Sequence, residues 1–170
     1  YIEQIKIIKD LDIAAMEKAK ARWDNIAKPV GSLGAFEDIV VKLAGITGSA
    51  DVNLDKKAVI VMCADNGVIA QGVAQTPGGI TAVMAGFIAD KRSSVCIMAR
   101  KANADIIPVD MGMFTRISNK NILDHHIADG TNDFTQGPAM TKEQAQKAIQ
   151  IGIELVKDCK EKGYKIIATG

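Results

Sequence analysis

Val59-Ile60-Val61-Met62-Cys63-Ala64-Asp65-Asn66-Gly67 passes from an unbroken apolar run to a carboxylate, an amide and a glycine. The apolar stretch, Ala58 to Ala64, is too short for a helix and is bounded by polar residues, so it reads as a strand buried on both faces. Asp65 and Asn66, just past the end of such a strand, are badly placed for a core and well placed for a crevice. Asp-Asn-Gly is also ordinary turn chemistry, because Asn and Gly tolerate positive φ. A solvated turn and a functional strand end therefore both fit the local sequence. A long glycine-rich loop, Gly67 to Gly79, follows and closes on Thr76-Pro77-Gly78-Gly79. Loops of that length in compact domains are usually functional or mobile.

Working outward, a helix is expected from about Ile80 and a second over Ser93 to Lys101. Asp105 to Met111 reads as another strand, with Pro108 marking an edge or a bulge. Ile122, Ile127 and the pair His125-His126 allow a short strand. Adjacent histidines in a strand point to opposite faces and do not share one metal easily, so both read as partly exposed structural residues. Thr141 and Gln144 form a capping box for a helix from Lys142 to about Lys160, with Ala145, Ala148, Ile149, Gly152, Leu155, Val156 and Cys159 on one side. Gly163 is its C-cap, and Tyr164 to Thr169 is a third strand. Toward the N-terminus, Ile13, Met16, Ala19, Trp23 and Ile26 recur at near-helical spacing, as do Ile2, Ile5, Ile8 and Leu11, with Asp10 as a cap or a break between two helices. Lys28-Pro29-Val30-Gly31-Ser32-Leu33-Gly34 breaks the pattern. Ser32 is placed to cap the next helix, whose start beside Lys28 can receive an anion or serve as a plain connector. That helix carries Phe36, Ile39, Val40, Leu43 and Ile46 on one face. Ser49 to Lys57 is a polar connector.

Strands alternating with helices argue a parallel sheet, in which all strand carboxyl ends lie on one edge. Asp65, Asp110 and Gly170 then face one crevice, where such folds bind ligands. The glycines and helix N-termini suit a phosphate-bearing ligand. No P-loop, dinucleotide fingerprint or serine nucleophile elbow occurs. A small-molecule site on a parallel sheet is as far as the residues lead unaided.

Composition narrows the classes further. Across 170 residues, 48% are hydrophobic and 24% charged, and the net charge is +1, which gives no footprint for nucleic acid or an anionic membrane. Aromatics make up 4%, too few for base-stacking platforms. No apolar span reaches membrane length. Cys63, Cys96 and Cys159 lie apart in apolar company, as reduced core residues of a cytoplasmic protein. No metal and no cofactor is expected. The chain opens on Tyr1 and ends on Gly170 after an apolar run, so the expectation is a piece of a longer protein.

Several motifs in order resemble the nicotinate-nucleotide–dimethylbenzimidazole phosphoribosyltransferase family. Lys28-Pro29-Val30-Gly31-Ser32-Leu33-Gly34 resembles its Lys-Pro-Pro-Gly-Ser-Leu-Gly, with Val30 in place of a proline. Cys63-Ala64-Asp65-Asn66-Gly67-Val68 resembles its Asp-His-Gly-Val strand end, with Asn66 where His is common. Gly137-Pro138-Ala139-Met140-Thr141 matches its Gly-Pro-Ala-Met-Thr/Ser, and Gly130-Thr131 also fits. The resemblance runs from about residue 10 to Gly170. It implies an α/β, Rossmann-like parallel sheet with flanking helices, a small helical N-terminal domain and a homodimer. It also implies transfer of phosphoribosyl from nicotinate mononucleotide to a benzimidazole base, a glycosyltransferase reaction of cobalamin lower-ligand assembly. By motif position, Thr76 and Met84 fall in the base pocket, Asp65 and Asn66 at the crevice floor, and Gly130, Thr131 and Asp133 near the nucleotide. Gly170 opens the family's phosphate loop. The family's catalytic glutamate lies beyond Gly170, so none of the glutamates here is assigned to catalysis.

The expected organisation is residues 1–50 as part of the small helical domain and 51–170 as the first half of the α/β nucleotide- and base-binding domain, the C-terminal half being absent. Two other readings fit the same residues: a non-catalytic small-molecule-binding or regulatory module that keeps the base pocket, and an unrelated Rossmann-like nucleotide-binding domain.

Overall fold

The computed structural model describes residues 8–170, so the positions Ile2 and Ile5 lie outside the described residues. The chain divides into two compact units, one reaching to Asn53 and the other beginning at Leu54.

The first unit pairs helix α1 (Ile13–Asp24) with helix α2 (Ala35–Thr47). Asp12, not Asp10, caps α1, its carboxylate accepting from the Ala15 amide at 2.9 Å. The buried residues are Ala15, Ala19, Ala44 and Gly45. Small side chains let the two backbones approach, and the Asp12 amide donates to the Gly45 carbonyl at 2.9 Å. Of the apolar residues that recur at helical spacing, Ile13, Ile26, Phe36, Ile39 and Ile46 are exposed. Ser32 does not cap α2. Gly34 holds that position, and the Glu37 carboxylate accepts from the Leu33 amide at 3.1 Å and from Lys28 Nζ at 2.7 Å. Of the two readings of this helix start, an anion site or a plain connector, the structure fits the connector, with Lys28 and the Leu33 amide engaged by the chain's own Glu37. Hydrogen bonding from Lys28, then from the Leu33 amide, holds its carboxyl below the usual range.

The second unit is a four-stranded sheet built from β1 (Lys57–Ala64), β2 (Ala104–Gly112), β3 (Leu123–Asp124) and β4 (Ile166–Thr169), in the order β3-β2-β1-β4. Every pairing is parallel. Helices α3 (Ile80–Ala89), α4 (Ser94–Lys101) and α5 (Lys142–Glu161) connect the strands. The apolar run of β1 is central because it packs on both faces. Ile60 joins Val109, Ile151, Leu155 and Cys159 in one core cluster. Cys63, of opposite strand parity, joins Ala82, Ala85 and Met113 in a second.

Pro108 sits where the sheet tolerates a missing N–H. On its outer side β2 is paired only at Val109 and Asp110. The register slips between Cys63 and Ala64, which pair with Asp110 and Gly112 and leave Met111 as the extra residue.

The capping box of α5 forms as expected. Thr141 Oγ1 accepts from the Gln144 amide at 3.2 Å, and Gln144 Oε1 accepts from the Thr141 amide at 2.8 Å. At the other end Tyr164 N donates back to Cys159 O at 2.9 Å across Gly163. The buried stripe is Ile151, Leu155 and Cys159, while Ile149 and Val156 face outward. This helix holds more apolar residues than one face can bury, and contact with β1 and β2 selects the Ile151 column. The loop after β1 is less irregular than expected, since Gly67–Gln71 winds into a 3₁₀ turn.

Candidate functional site at the carboxyl edge of the sheet

Two buried carboxylates, Asp65 and Asp110, stand at the ends of the central strands, each with 5% of its surface exposed. Asp65 Oδ1 accepts from the Thr81 hydroxyl at 2.5 Å, and Oδ2 from the Phe114 amide at 2.8 Å. Its backbone bridges two segments: Asp65 N donates to Gly112 O, and Thr131 N donates to Asp65 O, each at 3.0 Å. Asp110 Oδ1 accepts from the Gly112 and Met113 amides at 2.9 and 3.0 Å. Its Oδ2 lies 3.0 Å from His126 Nδ1, and His126 Nε2 lies 2.9 Å from Asp129 Oδ1.

Glycines let the segments meet. A Cβ at Gly67 would collide with the backbone of Thr131, Asn132 and Asp133. One at Gly130, where φ is +75°, would strike the Phe114 ring. The 3₁₀ turn is tied to the same segment by Gln71 Nε2, which donates to Asp133 Oδ2 at 2.6 Å. Thr135 donates to the other oxygen of Asp133 through its amide and its hydroxyl, at 2.9 and 2.8 Å. These bonds, that from Gln71 first, hold the Asp133 carboxyl below the usual range.

Between these segments and the start of α5 lies a cavity of about 130 Å³. Asp65, Gly112, Gly130 and Thr131 border it on the sheet side, and Met140, Gln144 and Ala148 on the helix side. No lysine, arginine or glutamate lines it, so its walls suit a small, largely apolar group better than an anion. Among the described residues, no group of three His, Cys, Asp or Glu is arranged to hold a metal ion. Among them, too, no helix is long and apolar enough to cross a membrane.

The expected site residues fall into two sets. Asp65, Gly130 and Thr131 meet at the cavity. Asp133 stands beside it with both oxygens engaged. Asn66 is exposed, and its carbonyl accepts from the Ile69 amide at 3.1 Å. Thr76 and Met84 are exposed and do not border the cavity. Gly170 extends β4 along β1, donating to Ile60 O at 2.9 Å and accepting from Met62 N at 3.0 Å. Sequence reasoning did not place Thr81, Met140 or Gln144 at the site, and it read His126 as a partly exposed structural residue, which it is. The capping box had marked where α5 begins, which was the available signal for Met140 and Gln144. Nothing in the sequence pairs Thr81 or His126 with its carboxylate.

Comparison with known proteins bears on this edge. A family model described as phosphoribosyltransferase matches residues 8–170. A protein of Ruminiclostridium cellulolyticum named nicotinate-nucleotide–dimethylbenzimidazole phosphoribosyltransferase is 42% identical over 170 residues, covering 100% of this chain and 48% of its own length. One of the same name from Clostridium perfringens is 42% identical over 168 residues, covering 99% of this chain and 46% of its own length. The crystal structure of CobT from Thermus thermophilus superposes with a TM-score of 0.88 at 29% identity, over 92% of this chain and 47% of that one. The chain thus spans about half the length of the curated relatives it matches.

Proposed function

Since the chain belongs to the phosphoribosyltransferase family whose model spans residues 8–170, we propose that it builds part of the site of a pentosyl transfer. The donor is nicotinate mononucleotide and the acceptor is 5,6-dimethylbenzimidazole; the products are nicotinate and α-ribazole 5'-phosphate. The observation that carries this reading is the cavity of about 130 Å³ at the carboxyl edge of a parallel sheet, in a chain similar over its whole length to proteins named nicotinate-nucleotide–dimethylbenzimidazole phosphoribosyltransferase.

A benzimidazole nitrogen attacks C1 of the ribose, the bond from C1 to nicotinate breaks, and its electron pair leaves with nicotinate. The base then loses its N–H proton to a general base. What this chain supplies is position. Asp65 spends both oxygens on Thr81 and Phe114, and no glutamate lines the cavity. The proton acceptor therefore comes from outside these lining residues, as the resemblance implies. Thr76 and Met84 are assigned to selection of the acceptor base, and Asn66, Gly130, Thr131, Asp133 and Gly170 to the nucleotide side. The same reading takes residues 1–50 as part of a small helical domain and 51–170 as the first half of the binding domain, in a cytoplasmic homodimer.

Calorimetric titration with each compound, paired with an assay of nicotinate release in the presence of both, tests the reading. Binding of 5,6-dimethylbenzimidazole and of nicotinate mononucleotide is the expected result. Binding of a dinucleotide with no binding of either compound would overturn it. Met84→Gln is expected to change the order of preference among substituted benzimidazoles, and an unchanged order removes Met84 from acceptor selection.

A further inference from the structure

Ile127, Ala128, Gly130 and Thr131 line one wall of the cavity, and the backbone of the segment from His125 to Thr131 is tied to the sheet at its two ends. His125 N donates to Asp110 O at 3.0 Å, and Ile127 N to Met111 O at 3.2 Å. Beyond the turn, Thr131 N donates to Asp65 O. Between these anchors, Gly130 N bonds only within the segment, to Ala128 O at 2.8 Å. A side-chain connection spans the interval: Asp110 to His126 Nδ1, and His126 Nε2 to Asp129.

The two ends of this connection differ in character. The Asp110 carboxylate cannot swing, because its other oxygen is fixed by the Gly112 and Met113 amides. The side chains of His126 and Asp110 are 10% and 7% exposed, whereas that of Asp129 is 75% exposed. Hydrogen-bonded polar side chains taken out of water, as His126 and Asp110 are, seldom add much net stability, and a well-attested use for them is to fix an arrangement. The arrangement here is the approach of Gly130 to the Phe114 ring, with no room for a Cβ, directly beside Thr131 at the cavity.

We infer that His126 is a positioning residue, and that the Asp110–His126–Asp129 connection holds the Ala128–Thr131 wall in the form that receives the ligand. The ligand side of this inference rests on the function proposed above. Its structural side does not.

Asp129→Ala cuts the connection at its exposed end, where folding is least at risk. Amide hydrogen exchange is followed at Gly130 and Thr131 against Ile60 and Val109 in the sheet, alongside calorimetric titration with 5,6-dimethylbenzimidazole and nicotinate mononucleotide. Exchange at Gly130 and Thr131 is expected to rise about tenfold with no change in the sheet. The dissociation constant of the compound that binds is expected to rise about fivefold to tenfold. Asp129→Asn keeps a hydrogen-bond partner for His126 Nε2 in either tautomer and should restore most of both. A purely structural role would instead raise exchange across the whole sheet, and that outcome overturns the inference, as does unchanged exchange at the two amides. If the unsubstituted protein binds neither compound, the functional reading falls, and the exchange data alone still decide the positioning role.

Discussion

Asp65 and Asp110 hold consecutive amides of one turn: Met113 N donates to Asp110 Oδ1 and Phe114 N to Asp65 Oδ2. Two buried carboxylates on neighbouring strands thereby fix the path of the chain as it leaves β2. The second oxygen of Asp65 is satisfied by Thr81, from the first turn of α3. Thr81→Val preserves shape and removes the donor, leaving a buried carboxylate oxygen without a partner. The expected cost is about 1–3 kcal/mol, measured as a lower urea midpoint with an unchanged slope. An unmoved midpoint would show that the Thr81 bond contributes nothing.

Gly67→Ala and Gly130→Ala should each destabilise the fold by about 1–3 kcal/mol through overpacking. The added methyl meets backbone in the first case and an aromatic ring in the second. Gly130 carries the further strain of its positive φ. Gly137→Ala is the control, since nothing lies within 4 Å of its Cβ position. Thermal unfolding of the three variants should separate the first two from the third.

Tyr164 donates its hydroxyl to Asp105 Oδ2 at 2.7 Å. That bond, helped by burial, pushes the phenol up from 10 to about 12. The protonated form is therefore the one the fold favours. Its contribution is fully present below pH 10 and is lost as pH rises from 10 through 12. Tyr164→Phe is expected to cost about 1 kcal/mol at about pH 8, and the difference from the unsubstituted protein should nearly vanish by pH 12. Urea titrations at both pH values check the sign, and a gap that widens with pH would contradict it.

Burial raises the thiols of Cys63 and Cys159 above their ordinary range, and the nearby Asp110 and Asp65 carboxylates add to the effect at Cys63. Cys96 is buried as well, with its sulfur 3.2 Å from Ser93 Oγ. Folded protein should leave an aromatic disulfide reagent unreacted over minutes at about pH 8, and unfolding in guanidinium should release all three thiols. Rapid labelling of the folded protein would mean that one of them opens to solvent.

Signals written along the chain were legible in advance. The apolar run to Ala64, the capping box at Thr141 and Gln144, and the glycine after α5 each depend on neighbours in sequence, so the parallel sheet and its carboxyl edge could be read directly. Contacts between distant residues left no such mark. His126 meets Asp110 across 16 positions and Gln71 meets Asp133 across 62, and no local pattern records either. Helix faces failed for a different reason. Where a helix has more apolar residues than one side can bury, periodicity names the candidates, and only the opposing surface selects between Ile149 and Ile151. At Ser32 the cap rule was outcompeted, because Glu37 reached back to the Leu33 amide from inside the helix.

The seam between α1 and α2, made of Ala15, Ala19, Ala44 and Gly45, has an energetic consequence. Each alanine methyl removes little apolar surface from water, whereas one Ile60 or Leu155 in the sheet unit removes several times as much. Cooperative strength should therefore be uneven along the chain, with the helical pair opening at lower free energy than the sheet. Heating should unfold this protein in two steps, and a protease added between them should release the sheet unit from about Leu54 onward while cutting the helices to peptides.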